Sequence, residues 1–124
     1  MIKEIIKYGE AEVTYKSKQL LAEKPKLYNL FWETTLRCNA KCKHCGSRAG
    51  ENVKLDDELT TEEIKNALQS IANKYDASKI LLNITGGEPL VRQDLFEVMD
   101  FANKLGYHWG MTTNGILLNN ENIH

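Results

Sequence analysis

All three cysteines of the chain, Cys38, Cys42 and Cys45, lie in one short segment, RCNAKCKHCGS. Thiolates are the ligands of iron–sulfur clusters and of structural zinc. A four-iron cluster has four corners, so three local thiolates leave one iron without a protein ligand. An open position on a metal is typical of a site that does chemistry, because a substrate can occupy it. The odd number of cysteines disfavours a disulfide framework, which leaves metal binding or redox chemistry as the role of the segment.

A zinc site is the alternative interpretation of the same segment, with His44 as the fourth ligand. Structural zinc is tetrahedral, and two ligands adjacent in sequence, His44 and Cys45, would strain that geometry. The sequence also lacks the second ligand pair of a zinc ribbon. Both features disfavour zinc relative to an iron–sulfur cluster.

The composition is that of one ordinary globular domain: 124 residues, 42% hydrophobic, 27% charged, with a formal net charge of −1. A net charge so close to zero gives no indication of binding to nucleic acid or to an anionic membrane. The apolar runs are far shorter than the roughly 20 residues that span a bilayer, and acidic residues occupy the N-terminus where a signal peptide is apolar. We therefore expect a cytoplasmic protein without nucleic-acid or membrane partners.

Three segments have the composition of β-strands: 28–35 (YNLFWETT), 79–85 (KILLNIT) and 107–114 (YHWGMTTN). The second is almost continuously apolar, which predicts a strand buried on both faces. The segments RCNAKCKHCGS, GGEP and TTNG each follow the end of one of these strands. In parallel α/β folds that edge of the sheet is where ligands bind.

Two amphipathic helices are predicted between the strands. The first lies within residues 59–77 and begins at a capping box of Thr60 and Glu63. The second begins at a similar pair, Asp94 and Glu97, and ends at Gly106. The two apolar stripes are Ile64, Ala67, Leu68, Ile71, Ala72 and Tyr75, and Leu95, Val98, Met99, Ala102 and Leu105. Strand and helix thus alternate as two βαβ units, which predicts an α/β fold with a parallel sheet.

Three further parts of the chain have a less specific interpretation. Residues 1–27 are charged and weakly periodic, and we interpret them as an appendage to a domain that covers 28–124. His108 and Trp109 lie in the third strand and are interpreted as packing residues. Glu33 lies in the first strand, where a buried unpaired carboxylate is costly, so it is expected either at a solvated edge or lining a cavity.

The three motifs in this order resemble the radical S-adenosylmethionine (SAM) superfamily. The Cys-x3-Cys-x2-Cys spacing follows the first strand, GGEP the second and TTNG the third, and the resemblance covers residues 28–124. The sequences CNAKCKHCGSRAG and TTNG are most similar to those of the branch whose members often carry a C-terminal SPASM extension. The resemblance implies a βαβαβ portion of the partial, TIM-like barrel of that superfamily.

The resemblance also implies cofactors and a reaction. Cys38, Cys42 and Cys45 would ligate a [4Fe-4S] cluster, and SAM would bind the unligated iron through its amino and carboxylate groups. Electron transfer from the cluster, reduced by a partner such as flavodoxin or ferredoxin, would cleave SAM to methionine and a 5′-deoxyadenosyl radical that abstracts a substrate hydrogen. The protein binds, orients and shields the reactants. By analogy the substrate is a peptide or a cofactor precursor.

Matching positions then give the residues expected to bind SAM: His44, Gly86, Gly87, Glu88, Pro89, Thr113 and Asn114. The GGEP segment would meet the methionyl amino group, with glycines letting the backbone approach the ligand. His44 matches a usually aromatic position whose backbone lies near the adenine. Thr113 and Asn114 would face the same pocket. No residue is assigned as a catalytic acid or base.

The length departs from the family pattern. A radical SAM core contains about six βα units, and complete α/β barrels take roughly 200 residues or more. Because three strands are predicted here, we expect a fragment of the core that is not competent for turnover alone. A non-catalytic metal-binding accessory domain, with zinc or an iron–sulfur cluster, is the alternative function.

Overall fold

The computed structural model describes residues 12–15, 17, 26–50, 53 and 58–119. The predicted appendage, 1–27, therefore lies largely outside the described residues, although 12–15 and 17 are helical. Its extent and role stay a prediction.

A parallel three-stranded sheet with two crossover helices confirms the predicted α/β fold. The elements are, in chain order, β1 (Asn29–Glu33), α1 (Thr61–Ala72), β2 (Leu81–Thr85), α2 (Leu95–Lys104) and β3 (His108–Met111), with short 3-10 helices at Ala77–Lys79 and Pro89–Val91. The strand order is β1-β2-β3, and both strand pairs are parallel. The carboxyl ends of all three strands consequently lie at one edge of the sheet.

Helix α1 begins at the predicted capping box. The Glu63 N–H donates to the Thr60 hydroxyl over 3.3 Å, and the Glu63 carboxylate accepts the Thr60 N–H over 2.8 Å. The helix ends at Ala72, so Tyr75 lies beyond it and is 40% exposed. Ala67 is also exposed, because it lies on the flank of the stripe that Ile64 and Leu68 centre on. Both were wrongly assigned to the buried face.

Helix α2 has the predicted buried stripe but not the predicted cap. Leu95, Val98, Met99 and Ala102 are buried against the sheet. Asp94 occupies the position before the helix but makes no side-chain capping bond. Its carboxylate instead accepts hydrogen bonds from other side chains, which are described with the site below.

The hydrophobic core lies on the face of the sheet that the two helices cover. Leu82 and Ile84 of β2 are fully buried there, together with Trp32 of β1. On the opposite face Leu81 is 39% exposed and Phe31 is 71% exposed. The prediction that β2 is buried on both faces is therefore wrong for the described part of the chain, because both of its helices pack on one side.

We call this second side the open face; by strand register it carries Asn29, Phe31, Glu33, Leu81, Asn83, Thr85, His108 and Gly110. Glu33 and His108 are exposed on it, so His108 is not the packing residue that was predicted. Trp109 lies on the other side and is 39% exposed, with its indole N–H donating to Asn103 Oδ1 over 3.0 Å. Within the described residues, no helix has the length and apolar character needed to cross a membrane.

Candidate functional site

The loops that follow the three strands are joined by main-chain hydrogen bonds at the carboxyl edge of the sheet. Beyond β1, the Thr34 N–H donates to Thr85 O over 2.8 Å. The Gly87 N–H then donates to Thr35 O over 2.7 Å, and the Glu88 N–H to Arg37 O over 2.9 Å. The pairing of β1 with β2 thus continues into the loops, and the GGEP segment is fixed against the start of the cysteine segment.

The cysteine loop, which we define as residues 37–50, is closed at its base. Arg37 and Gly50 form an isolated parallel bridge. The Cys38 N–H donates to Gly50 O over 3.2 Å, and the Gly50 N–H donates to Leu36 O over 3.0 Å. The loop therefore leaves and rejoins the sheet edge at one point.

The three thiols line a single cleft. Its volume is about 260 Å³, and its walls are Cys38, Ala40, Cys42, Cys45, Ala49, Gly87, Thr112, Thr113 and Asn114. All three cysteines are free; Cys38 is partly buried, whereas Cys42 and Cys45 are exposed. Nowhere in the described ranges are three His, Cys, Asp or Glu side chains arranged to hold a metal ion. The thiols share the cleft but are not gathered around one point.

Glu88 connects the loop after β2 with the loop after β3. Its side chain is fully buried. One carboxylate oxygen accepts the Thr113 hydroxyl over 2.7 Å and the Leu90 N–H over 3.1 Å, and the other accepts the Asn114 N–H over 2.7 Å. Because buried polar groups are costly without partners, these bonds fix the position of the TTNG segment.

Asn114 extends this connection to the cysteine loop. Its side-chain N–H2 group donates to Asn39 Oδ1 over 2.8 Å and lies 3.9 Å from Cys38 Sγ. Its side-chain oxygen accepts the Ile116 N–H over 2.9 Å. The loops after β1, β2 and β3 are therefore linked through one hydrogen-bonded chain that reaches a cysteine sulfur.

The two glycines of GGEP are required by packing of the backbone. A Cβ atom at Gly86, where φ is 134°, would lie 2.5 Å from Thr35 O. At Gly87 it would lie 2.2 Å from Arg37 O. The sequence interpretation had the absent side chains make room for a ligand, but the structure shows the neighbouring main chain in that space.

An arginine that the sequence interpretation missed fixes the base of this region. Arg92 is 8% exposed and lies 5.6 Å from the ring centre of Trp32. Its guanidinium donates to Thr34 O over 2.9 Å, to Leu59 O over 2.7 Å, and to both Asp94 oxygens over 2.7 and 2.9 Å. We call this group the Arg92 clamp; it joins the end of β1 to the starts of both helices.

The Arg92 clamp also explains the state of Asp94. The guanidinium of Arg92 lowers the pKa of that carboxyl from 3.8 to about 2, with a smaller contribution from the hydroxyl of Thr61. The Thr61 hydroxyl donates to Asp94 over 2.6 Å. Asp94 is therefore a structural anion that ties α1 to α2. The signal in the sequence was the pair Arg92-x-Asp94, which begins three positions after GGEP.

The predicted site residues separate into two groups. Those that line the cleft are Cys38, Cys42, Cys45, Gly87, Thr113 and Asn114; those outside it are His44, Gly86, Glu88 and Pro89. His44 is exposed, and Pro89 is buried as the first residue of a 3-10 helix. Asn39 was missed, because nothing in its local sequence indicates a partner 75 positions away.

The motifs and the fold agree with comparisons to known proteins. A family model described as "Radical SAM superfamily" matches residues 32–124. The matched range contains the end of β1, all of β2 and β3, the cysteine loop and both helices.

Three curated relatives are similar over most of this chain. The Fe-coproporphyrin III synthase of Methanosarcina barkeri (strain Fusaro / DSM 804) is 34% identical over 116 residues, 94% of this chain and 28% of that protein. The AdoMet-dependent heme synthase of the same strain is 38% identical over 90 residues, 73% of this chain and 25% of that protein. The mycofactocin maturase MftC of Mycobacterium ulcerans (strain Agy99) is 37% identical over 95 residues, 74% of this chain and 24% of that protein. The chain spans about a quarter of the length of these relatives.

Proposed function

Because this chain belongs to the radical SAM superfamily, we propose that its cysteine loop holds a [4Fe-4S] cluster and that the cleft beside it binds SAM. The observation that carries the proposal is the cleft itself, in which three free thiols face the loops after β2 and β3. When bound, the reduced cluster and SAM supply a carbon-centred radical that takes a hydrogen atom from the substrate. A reductant such as flavodoxin or ferredoxin supplies the electron.

The donor set fits an iron–sulfur cluster. Thiolates are the soft ligands of such clusters, and the described residues of the cleft wall include no carboxylate of the kind that hard cations prefer. The thiols are not gathered around one point, so we expect the exposed segment with Cys42 and Cys45 to close when the cluster is inserted. The bridge between Arg37 and Gly50 at the base of the loop would hold Cys38 in place while the loop closes.

SAM contacts are expected from the groups that line the cleft. The main chain of Gly87 and the side chains of Thr113 and Asn114 lie beside the thiols. The Glu88 carboxylate is already occupied by three hydrogen bonds and acts by holding the Thr113–Asn114 segment in place. The backbone of His44 near the adenine stays a proposal that rests on the family resemblance.

The names of the relatives suggest a class of substrate for the whole enzyme. Two of them are named for the synthesis of haem or an iron coproporphyrin, so the first candidate is a tetrapyrrole precursor. The maturase among the relatives supports a second candidate, a peptide or other precursor that the enzyme matures. The described part of the chain would carry the cofactor site, and both candidates are tested by their binding to the loaded protein.

The test is anaerobic reconstitution of the chain with iron and sulfide. We expect about four iron and four sulfide per chain, with loss of stable loading when any one of Cys38, Cys42 or Cys45 is replaced by alanine. Ser47→Ala, an exposed position in the same loop, is the matched control and should load normally. SAM should then perturb the electron paramagnetic resonance spectrum of the reduced cluster.

The contrary result is equally specific. Stoichiometric zinc without sulfide would assign the loop to the alternative, a non-catalytic metal-binding domain. A cluster that forms but does not respond to SAM would support the metal site and reject the SAM site.

A further inference from the structure

The side-chain amide of Asn114 lies beside the sulfur of Cys38, and its place in the cleft does not by itself give this contact a role. We propose that its carboxamide donates a hydrogen bond to the sulfur of Cys38 and thereby raises the reduction potential of the cluster. This inference rests on the proposed cluster and adds a potential-setting residue to it.

Two N–H donors converge on the sulfur of Cys38. The backbone N–H of Ala40 lies 3.4 Å from Sγ, and the side-chain nitrogen of Asn114 lies 3.9 Å from it. An amide N–H2 group has two hydrogens; one is directed to Asn39 Oδ1 at 2.8 Å, which leaves the second for the sulfur. Cys38 is also the least exposed of the three cysteines, so its surroundings are the least screened by water.

The orientation of the Asn114 amide follows from its neighbours. The Ile116 N–H, 2.9 Å away, can bond only to an acceptor, so the carbonyl oxygen of Asn114 must face it. The N–H2 end is then forced to face Asn39 and Cys38. A flipped amide would place donor against donor at Ile116 and acceptor against acceptor at Asn39.

Glu88 acts as the positioning residue for this amide. Its buried carboxylate accepts the Asn114 N–H over 2.7 Å and also binds the adjacent Thr113 hydroxyl. Glu88 thus fixes the backbone of Asn114, while hydrogen bonds with Asn39 and Ile116 fix its side chain. A donor fixed in this way keeps its direction when the charge on the sulfur changes.

A fixed donor at a cluster ligand changes the energy of electron transfer. The reduced cluster carries one more negative charge than the oxidised cluster, and an N–H dipole aimed at a ligand sulfur stabilises that charge. Removing the donor should make reduction harder and lower the midpoint potential. The effect acts on the metal centre and does not require contact with SAM or with substrate.

The experiment compares three variants of the reconstituted chain in redox titrations monitored by electron paramagnetic resonance. Asn114→Asp keeps an oxygen for Ile116 but replaces the donor with a negative charge. We expect about a tenfold smaller ratio of reduced to oxidised cluster at a fixed potential, which is about 59 mV for one electron. Asn114→Ala removes the donor without adding charge and should lower the ratio several-fold. Asn66→Asp, exposed on α1, adds the same charge elsewhere and should leave the potential unchanged.

Each other outcome has a defined meaning. Full loading with unchanged potentials in both Asn114 variants would overturn the inference. Loss of the cluster in both variants, with normal loading of the Asn66 control, would assign Asn114 a structural role and overturn it as well. Absence of a sulfide-containing cluster in the unsubstituted chain would instead reject the proposed function.

Discussion

Gly87 is the residue whose substitution best separates packing from ligand contact. A Cβ atom there would lie 2.2 Å from Arg37 O, a main-chain atom that cannot rotate away. We expect Gly87→Ala to reduce the free energy of unfolding by about 3 kcal/mol, because overpacking forces the backbone apart. Since Arg37 begins the cysteine loop, cluster loading should fall together with stability. Urea unfolding and iron and sulfide analysis measure the two effects.

Gly110 is the matched control for this substitution. A Cβ atom there meets no heavy atom within 4 Å, so Gly110→Ala should change the free energy of unfolding by no more than about 0.5 kcal/mol. Loss of SAM binding in Gly87→Ala with full cluster loading and unchanged stability would show that the absent side chain makes room for SAM and not for the main chain of Arg37.

At the scale of single residues, the sequence predicted the parts of the site that use local patterns. The capping box of Thr60 and Glu63 was found because both partners lie within one turn of a helix. Cys38, Cys42 and Cys45 were found because their spacing is itself a ligand pattern. The bond between Asn39 and Asn114 was not predictable, since it depends on how two distant loops meet across the sheet.

At the scale of elements, the Arg92 clamp makes the junction of β1, α1 and α2 sensitive to acid. The folded-state pKa of Asp94, about 2, lies below its ordinary value of 3.8. The interaction therefore stabilises the fold above about pH 4, and this stability is lost as the pH falls from about 4 to about 2. We expect Asp94→Asn to cost about 1–2 kcal/mol at neutral pH, discounted because the Asp94 side chain is 21% exposed.

The measurement is urea unfolding of the chain at several pH values between 2 and 7. The unsubstituted chain should lose stability below pH 4, and Asp94→Asn should show a shallower loss over the same interval. Asp100→Asn, exposed on α2, removes an equal charge and should keep the slope of the unsubstituted chain. Equal slopes for the chain and Asp94→Asn would show that the clamp contributes no acid-sensitive stability.

The elements themselves were largely predictable, and their surroundings were not. Alternation of strand and helix patterns predicted the parallel sheet. The apolar run of β2 suggested cover on both faces, yet an apolar sequence does not specify which face a helix will occupy. Asp94 resembled a helix cap, but its carboxylate binds the side chain of Arg92, which lies two positions before it and outside the helix.

At the scale of the whole molecule, the open face of the described sheet exposes the apolar side chains of Phe31 and Leu81. Phe31 is 71% exposed there, and β1 and β3 each pair with one strand among those described. Exposed apolar patches and unpaired strand edges favour association. We expect the 124-residue chain to self-associate as its concentration rises, and Phe31→Lys to raise the dissociation constant at least about tenfold. Sedimentation velocity over a concentration series measures both.

Phe96 supplies the control for this surface. It is 43% exposed on α2, away from the open face, so Phe96→Lys should leave self-association unchanged. A chain that stays monomeric throughout the series, or an equal effect of both lysine substitutions, would show that the open face does not mediate association.

Trp32 gives the molecule an optical property of its own. The chain has two tryptophans, and Trp32 is the buried one. The guanidinium of Arg92 lies over its ring, and Cys38 follows it six positions later in the chain. Its fluorescence therefore originates at the point where the sheet, the Arg92 clamp and the cysteine loop join. With Trp109 replaced by phenylalanine, all tryptophan emission comes from this junction, so changes at the cysteine loop can be followed in real time by fluorescence without an added label.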